Sequence, residues 1–129
     1  MIEDELTKKI IGCAMDVHRE LGAGYLEKVY ENALMHALRN AGLNAVQQVP
    51  IKARYRGETV GDFIADIVVE QSVILELKAC SQLNVIHEVQ LVSYLKATGI
   101  STGLLFNFGA PSLQFKRKCK ILLPPASIP

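Results

Sequence analysis

Three charged side chains interrupt the most apolar, β-rich part of the chain. Asp66 lies within Ile64-Ala65-Asp66-Ile67-Val68-Val69, and Glu76 and Lys78 lie within Val73-Ile74-Leu75-Glu76-Leu77-Lys78. Segments of this composition occupy the middle of a sheet, where an unpaired charge is costly, so such groups are paired, hydrated or bound to metal. Side chains alternate along a strand, which puts Glu76 and Lys78 on one face and Leu77 on the other. If Val69 pairs with Val73 around a three-residue turn, Asp66 falls opposite Glu76 on that face. Ile67, Val69, Val73, Leu75 and Leu77 then form a core surface on the other. A two-residue turn would instead separate the carboxylates. Two carboxylates and an ammonium in one patch are what metal-assisted phosphodiester hydrolysis requires. Oxygen ligands suit Mg2+ or Mn2+, which polarises a phosphoryl oxygen and helps generate hydroxide from water. The lysine can orient or deprotonate that water and neutralise charge in the transition state. The plain alternative is a half-exposed strand carrying a cross-strand Lys–carboxylate pair.

The remaining elements must hold this patch in place. Ile2, Leu6, Ile10, Cys13, Val17 and Leu21 recur three or four apart, one apolar stripe on a helix over 2–21 that Gly22-Ala23-Gly24 ends. A second helix is expected over 26–41, with Leu26, Tyr30, Ala33, Ala37 and Leu38 inward. From Ala45 the rhythm changes to an edge-like strand broken by Pro50, a turn at Arg56-Gly57, and strands over 59–69 and 73–79. A third helix is expected over 84–98, with Asn84 as its N-cap and Gly99 past its end. Strands over 101–107 and 114–122 and an irregular tail over 123–129 complete the chain. A helix between strands implies a crossover and a mixed sheet. The fold class is α/β: one domain over 1–122 with a tail over 123–129.

The bulk composition limits the function. The 129 residues suit one domain, and half of them are hydrophobic against 21% charged, which suits a globular core. No apolar run approaches the roughly 20 residues that cross a membrane, and the acidic N-terminus is unlike a secretory signal, so the cytoplasm is the expected location. Cys13, Cys80 and Cys119 share no ligand spacing and read as reduced thiols. A net charge of +1 is not that of a strongly basic nucleic-acid binder. Two local basic groups stand out, Lys52, Arg54 and Arg56, and Lys116, Arg117, Lys118 and Lys120, which on charge alone read as solvated strand and turn positions.

Asp66 followed by Glu76-Leu77-Lys78 resembles the D…(D/E)xK signature of the PD-(D/E)XK nuclease superfamily. Gly24-Tyr25-Leu26-Glu27-Lys28-Val29-Tyr30 resembles the motif of its GxxExxY family, as do Val17-His18-Arg19-Glu20-Leu21-Gly22, His87-Glu88-Val89-Gln90-Leu91 and Tyr94-Leu95. The similarity runs from about residue 6 to residue 120, and Ala65 stands where the superfamily name has proline. The resemblance implies a restriction-endonuclease-like core of αβββαβ type, a central mixed sheet flanked by helices. It implies that Asp66, Glu76 and the Leu77 carbonyl ligate Mg2+, that Lys78 is catalytic, and that Glu27 is a further carboxylate directed at the site. Gln90 and Tyr94, one turn apart on the third helix, resemble a QxxxY pair set beside lysine and substrate.

Each accessory residue also has an ordinary reading. Glu27 would favour a helix N-terminus, Tyr30 suits the core, and His18 and His87, isolated by spacing, suit structural hydrogen bonds. The resulting expectation is a metal-dependent nuclease, a hydrolase acting on DNA in preference to RNA, for which a homodimer would extend reach over a duplex. A nucleic-acid-binding or accessory subunit that keeps the fold without turnover is the alternative, as is a structural protein in which the triad is a surface ion pair.

Overall fold

The computed structural model describes residues 3–120, so the expected tail over 123–129 lies outside the described residues. Helix α1 (Glu3–Leu21) and helix α2 (Glu27–Asn40) precede strands β1 (Ala45–Tyr55), β2 (Glu58–Val69) and β3 (Val73–Lys78). Helix α3 (Val85–Thr98) then crosses to β4 (Thr102–Asn107), and β5 (Gln114–Cys119) closes the sheet. The strand order is β1-β2-β3-β4-β5, antiparallel except for the parallel β3–β4 pair that α3 connects. This is the mixed α/β sheet expected from a helix set between strands.

Helices α1 and α2 cover one face of the sheet. Leu6, Ile10, Cys13 and Val17 pack with Leu34, Leu38 and the expected core row Ile67, Val69, Val73, Leu75 and Leu77. Helix α3 covers the other face through Leu91, Tyr94 and Leu95 against Ile74 and Leu105. Each fully buried side chain of this kind contributes roughly 1.5–3 kcal/mol. The caps of α3 are those read from the sequence. The Asn84 side chain accepts from the Ile86 N–H, His87 closes the capping box, and Gly99 takes the left-handed conformation at φ 78°.

Two local expectations are corrected. Leu26 is the N-cap of α2 and 81% exposed, not inward, because the glycine-rich turn before it sets the helix start one residue later. Pro50 does not break its strand. β1 runs through it, paired with Ile64, since on the sheet's outer strand a missing N–H can face away from the ladder. The β1–β2 register shifts between Ala53 and Arg54, while Gln48, which has φ 53°, is left out of the pairing like its opposite number Asp66. Before this level Ala45, Ile67 and Val69 face α1 and α2, whereas beyond it Val49, Ile51 and Ala65 face α3. The β1–β2 hairpin thus changes faces at Asp66 and continues as an arm over α3.

Candidate active site

The turn between β2 and β3 is the three-residue one. Val69 pairs with Val73, Val68 with Ile74 and Ile67 with Leu75, which brings Asp66 level with Glu76. The regular ladder stops there, and the carboxylates take over its backbone donors. Asp66 Oδ2 accepts the Leu77 N–H at 2.8 Å, and Glu76 Oε1 accepts the Asp66 N–H at 3.1 Å. Each acid is therefore held by the other's strand, in a geometry the β2–β3 register dictates.

The pair is electrostatically unfavourable without a counter-charge. Glu76 is 4% exposed. Burial first, and then the charge of Asp66, push its carboxyl up to about 8. Burial raises Asp66 as well, opposed by the Leu77 amide. Two neighbouring carboxylates with this environment hold one proton between them at neutral pH. Lys78, half-buried on the same face, acts on both by charge. Its ammonium has no hydrogen-bond or ion-pair partner among the described residues, which leaves it available to a ligand.

The end of β3 is fixed by a residue that sequence reasoning missed. Asn107 is fully buried beside Lys78 across the β3–β4 pair. Its Oδ1 accepts the Cys80 and Gly109 N–H groups at 3.0 Å each, and its Nδ2 donates to Cys80 O and Gln114 Oε1 at 2.9 Å each. The Lys78 carbonyl in turn accepts the Phe108 N–H at 2.8 Å. Gly109 packs so closely that a Cβ would sit 2.3 Å from the Cys80 carbonyl oxygen. The polar end of an otherwise apolar β4 was the one sequence signal for this lock.

Helix α2 supplies a second missed residue. Glu31 is 4% exposed, accepts from Gln47 at 2.6 Å and Gln48 at 2.9 Å, and pairs with Lys28 at 3.0 Å. Its charge is among those that raise Asp66. Glu31, Leu34 and Leu38 share helical spacing, so a carboxylate at the head of an apolar stripe was the signal. Glu27, one turn earlier on the same face, is exposed in the first turn of α2 and has no hydrogen bond or ion pair among the described residues.

The other expected residues divide. Tyr94 is buried, its ring 5.4 Å from Phe63, and burial followed by the charges of Glu76 and Asp66 raises its hydroxyl. It therefore belongs to the carboxylate environment. Gln90 is exposed one turn before it, its amide engaged by no described residue. Tyr30 is structural. Its hydroxyl donates to Gly22 O at 2.5 Å and accepts the Tyr25 N–H at 3.1 Å, while its ring stacks on Phe108 at 4.7 Å. His18 is buried and bonds the Ala110 carbonyl at 2.9 Å.

Among the described residues no three His, Cys, Asp or Glu side chains converge as metal ligands. The donor set at the pair still fits a hard divalent cation. It is all oxygen, has no ion-pair partner among the described residues, and needs only a backbone carbonyl to complete a partly hydrated shell. No helix among the described residues is long and apolar enough to cross a membrane.

Comparison with known proteins agrees with this geometry. The crystal structure of SSO0001 is similar in fold, with a TM-score of 0.60 at 17% identity over 74% of this chain. The chain spans 51% of the length of that structure's chain. No curated protein matches. The family model described as PD-(D/E)XK nuclease superfamily matches residues 4–118, from α1 through β5 and across both strands that carry the acidic pair. The chain belongs to the PD-(D/E)XK nuclease superfamily.

Proposed function

We propose that the protein is a divalent-metal-dependent nuclease of the GxxExxY group, cleaving DNA in preference to RNA, with Asp66, Glu76 and Lys78 at its centre. The observation that carries this reading is the carboxylate pair itself, each acid held by a backbone N–H of the other's strand, with burial and mutual charge pushing Glu76 up to about 8. A structural ion pair would place the lysine on the acids, whereas here the ammonium forms no ion pair among the described residues. Nucleases of this superfamily generally use divalent metals. Asp66, Glu76 and the Leu77 carbonyl would hold Mg2+ or Mn2+, which supplies Lewis-acid polarisation of the phosphodiester and activation of water.

The chain's own groups account for the rest. Lys78, fixed through the Asn107 lock, orients the attacking water and offsets charge developing on the phosphoryl oxygens. Gln90 and Tyr94 present an amide and a hydroxyl from one face of α3 toward the substrate. Glu31, held by two glutamine amides, positions Asp66 through its charge and through Gln48 opposite it. Glu27, at the exposed start of the same helix face, is a further carboxylate available to substrate-bound water.

The test is isothermal titration of Mg2+ and Mn2+ into wild type and Asp66→Ala, with labelled single- and double-stranded DNA and RNA incubated alongside. Metal binding lost in the variant, together with metal-dependent cleavage, is the expected result. Nucleic-acid binding that survives chelation, with no cleavage under any metal, would replace this reading with that of an accessory subunit.

A further inference from the structure

Beyond Asp66 the β1–β2 hairpin leaves the sheet plane and lies along α3, and the two enclose a groove of about 430 Å³. Its lining is Lys52, Ala53 and Arg54 from β1 with Ser93, Lys96 and Ala97 from α3. Three of these six residues are cations, one is a hydroxyl and none is an acid. Arg54 donates to the Thr59 hydroxyl at 3.4 Å, Lys96 has no hydrogen-bond or ion-pair partner among the described residues, and Lys52 pairs with Asp62 at 2.9 Å on the outer rim. In a chain whose net charge is only +1, a groove lined by no acid and by two cations without an ion pair among the described residues is a local concentration of positive potential. Two members of the Lys52-Arg54-Arg56 cluster of the sequence, read on charge alone as a solvated face, belong to its wall: Lys52 and Arg54.

The arm and α3 also meet nearer the acidic pair. The Tyr94 ring meets Phe63 on the arm, three residues from Asp66, and Ser93 beside it on α3 lines the groove. Along β2 the Lys52–Asp62 row lies four residues from Asp66, and the Arg54–Thr59 row seven. At about 3.3 Å per residue these rows stand up to roughly 13 and 23 Å from the acids. At about 3.4 Å per nucleotide of a duplex strand, that is roughly four to seven nucleotides. The arm's tip adds Tyr55, 61% exposed, with the Arg56 guanidinium 5.3 Å from its ring centre. An exposed aromatic among cations suits a nucleobase followed by its phosphate.

We propose that the groove between the β1–β2 arm and α3 is a phosphate track that carries the nucleic-acid strand beyond the acidic pair, with Arg54 and Lys96 as its principal contacts. This rests on the nuclease reading only for where the strand is cut, since the track itself needs no metal. It gives the enzyme a substrate-length requirement, because strands too short to reach the arm gain nothing from it.

The test compares wild type, Arg54→Ala/Lys96→Ala, and Lys8→Ala/Lys9→Ala, which removes the same charge from the exposed face of α1. Binding of a fluorescein-labelled 30-nucleotide DNA is followed by anisotropy in EDTA across a salt series. Losing two phosphate contacts should flatten the log K against log[salt] slope by about 1.4–1.8. Affinity at low salt should fall at least about tenfold in the groove variant and stay near wild type in the α1 variant. Equal losses in both variants, no loss in the groove variant, or no binding by wild type would overturn the track. With metal added, the groove variant should lose cleavage of the 30-mer while hydrolysis of bis(p-nitrophenyl) phosphate stays at the wild-type rate. Groove-dependent binding with no hydrolysis of either substrate would instead overturn the catalytic reading and leave the track standing.

Discussion

Replacing Glu76 with glutamine should make the metal-free protein more stable at alkaline pH, contrary to the usual effect of altering a buried polar residue. The Glu76 carboxyl stands at about 8 in the folded chain against an ordinary 4.5. Between those values the folded state holds a proton that the unfolded state has released. Stability is therefore full below about pH 4.5 and is lost as pH rises through 8. At about 1.4 kcal/mol per pH unit the complete loss is roughly 5 kcal/mol, and sharing the proton with Asp66 brings it to about 3–5 kcal/mol. Glutamine keeps an acceptor for the Asp66 N–H and cannot ionise. Urea unfolding of wild type and Glu76→Gln in EDTA at pH 5.5 and 9 measures the difference directly, and groups common to both cancel. At roughly 1–3 kcal/mol per molar urea, the wild-type midpoint should fall by about 2 M relative to the variant over that range. Parallel pH dependence in the two proteins would show that the acids are hydrated and uncoupled, and would remove the electrostatic argument for a cation at this site.

Lys78→Ala should abolish metal-dependent cleavage while leaving the thermal midpoint nearly unchanged, because the ammonium has no hydrogen bond or ion pair among the described residues to lose; a gel assay and a melting curve decide it, and retained activity would sink the assignment. Asn107→Ala should cost about 3–4 kcal/mol by stripping partners from the Cys80 and Gly109 backbone, seen as a drop in denaturation midpoint; a loss under 1 kcal/mol would refute the lock. Tyr30→Phe should cost about 1–2 kcal/mol by leaving the Gly22 carbonyl and Tyr25 N–H without the hydroxyl, with cleavage per folded molecule unchanged; a kinetic defect in fully folded protein would make this tyrosine part of the site.

The acidic pair was legible in the sequence because strand periodicity is local. Alternation placed Glu76 with Lys78, and one turn length sufficed to bring Asp66 opposite. The core row Ile67, Val69, Val73, Leu75 and Leu77 followed from the same register, and the α3 caps from Asn84 and Gly99. The face exchange at Gln48 and Asp66 was not legible, since it depends on where α3 lies beneath the hairpin, and neither strand carries a glycine or proline at that level. Nor could the sequence rank Glu27 against Glu31. Both share a helix face, but only packing against Gln47 and Gln48, some sixteen residues away, buries one and leaves the other in water. Asn107 and the phosphate track have the same origin. Their partners lie on other elements, so their chemistry exists only once the parallel β3–β4 pair has closed and the arm has folded over the crossover helix.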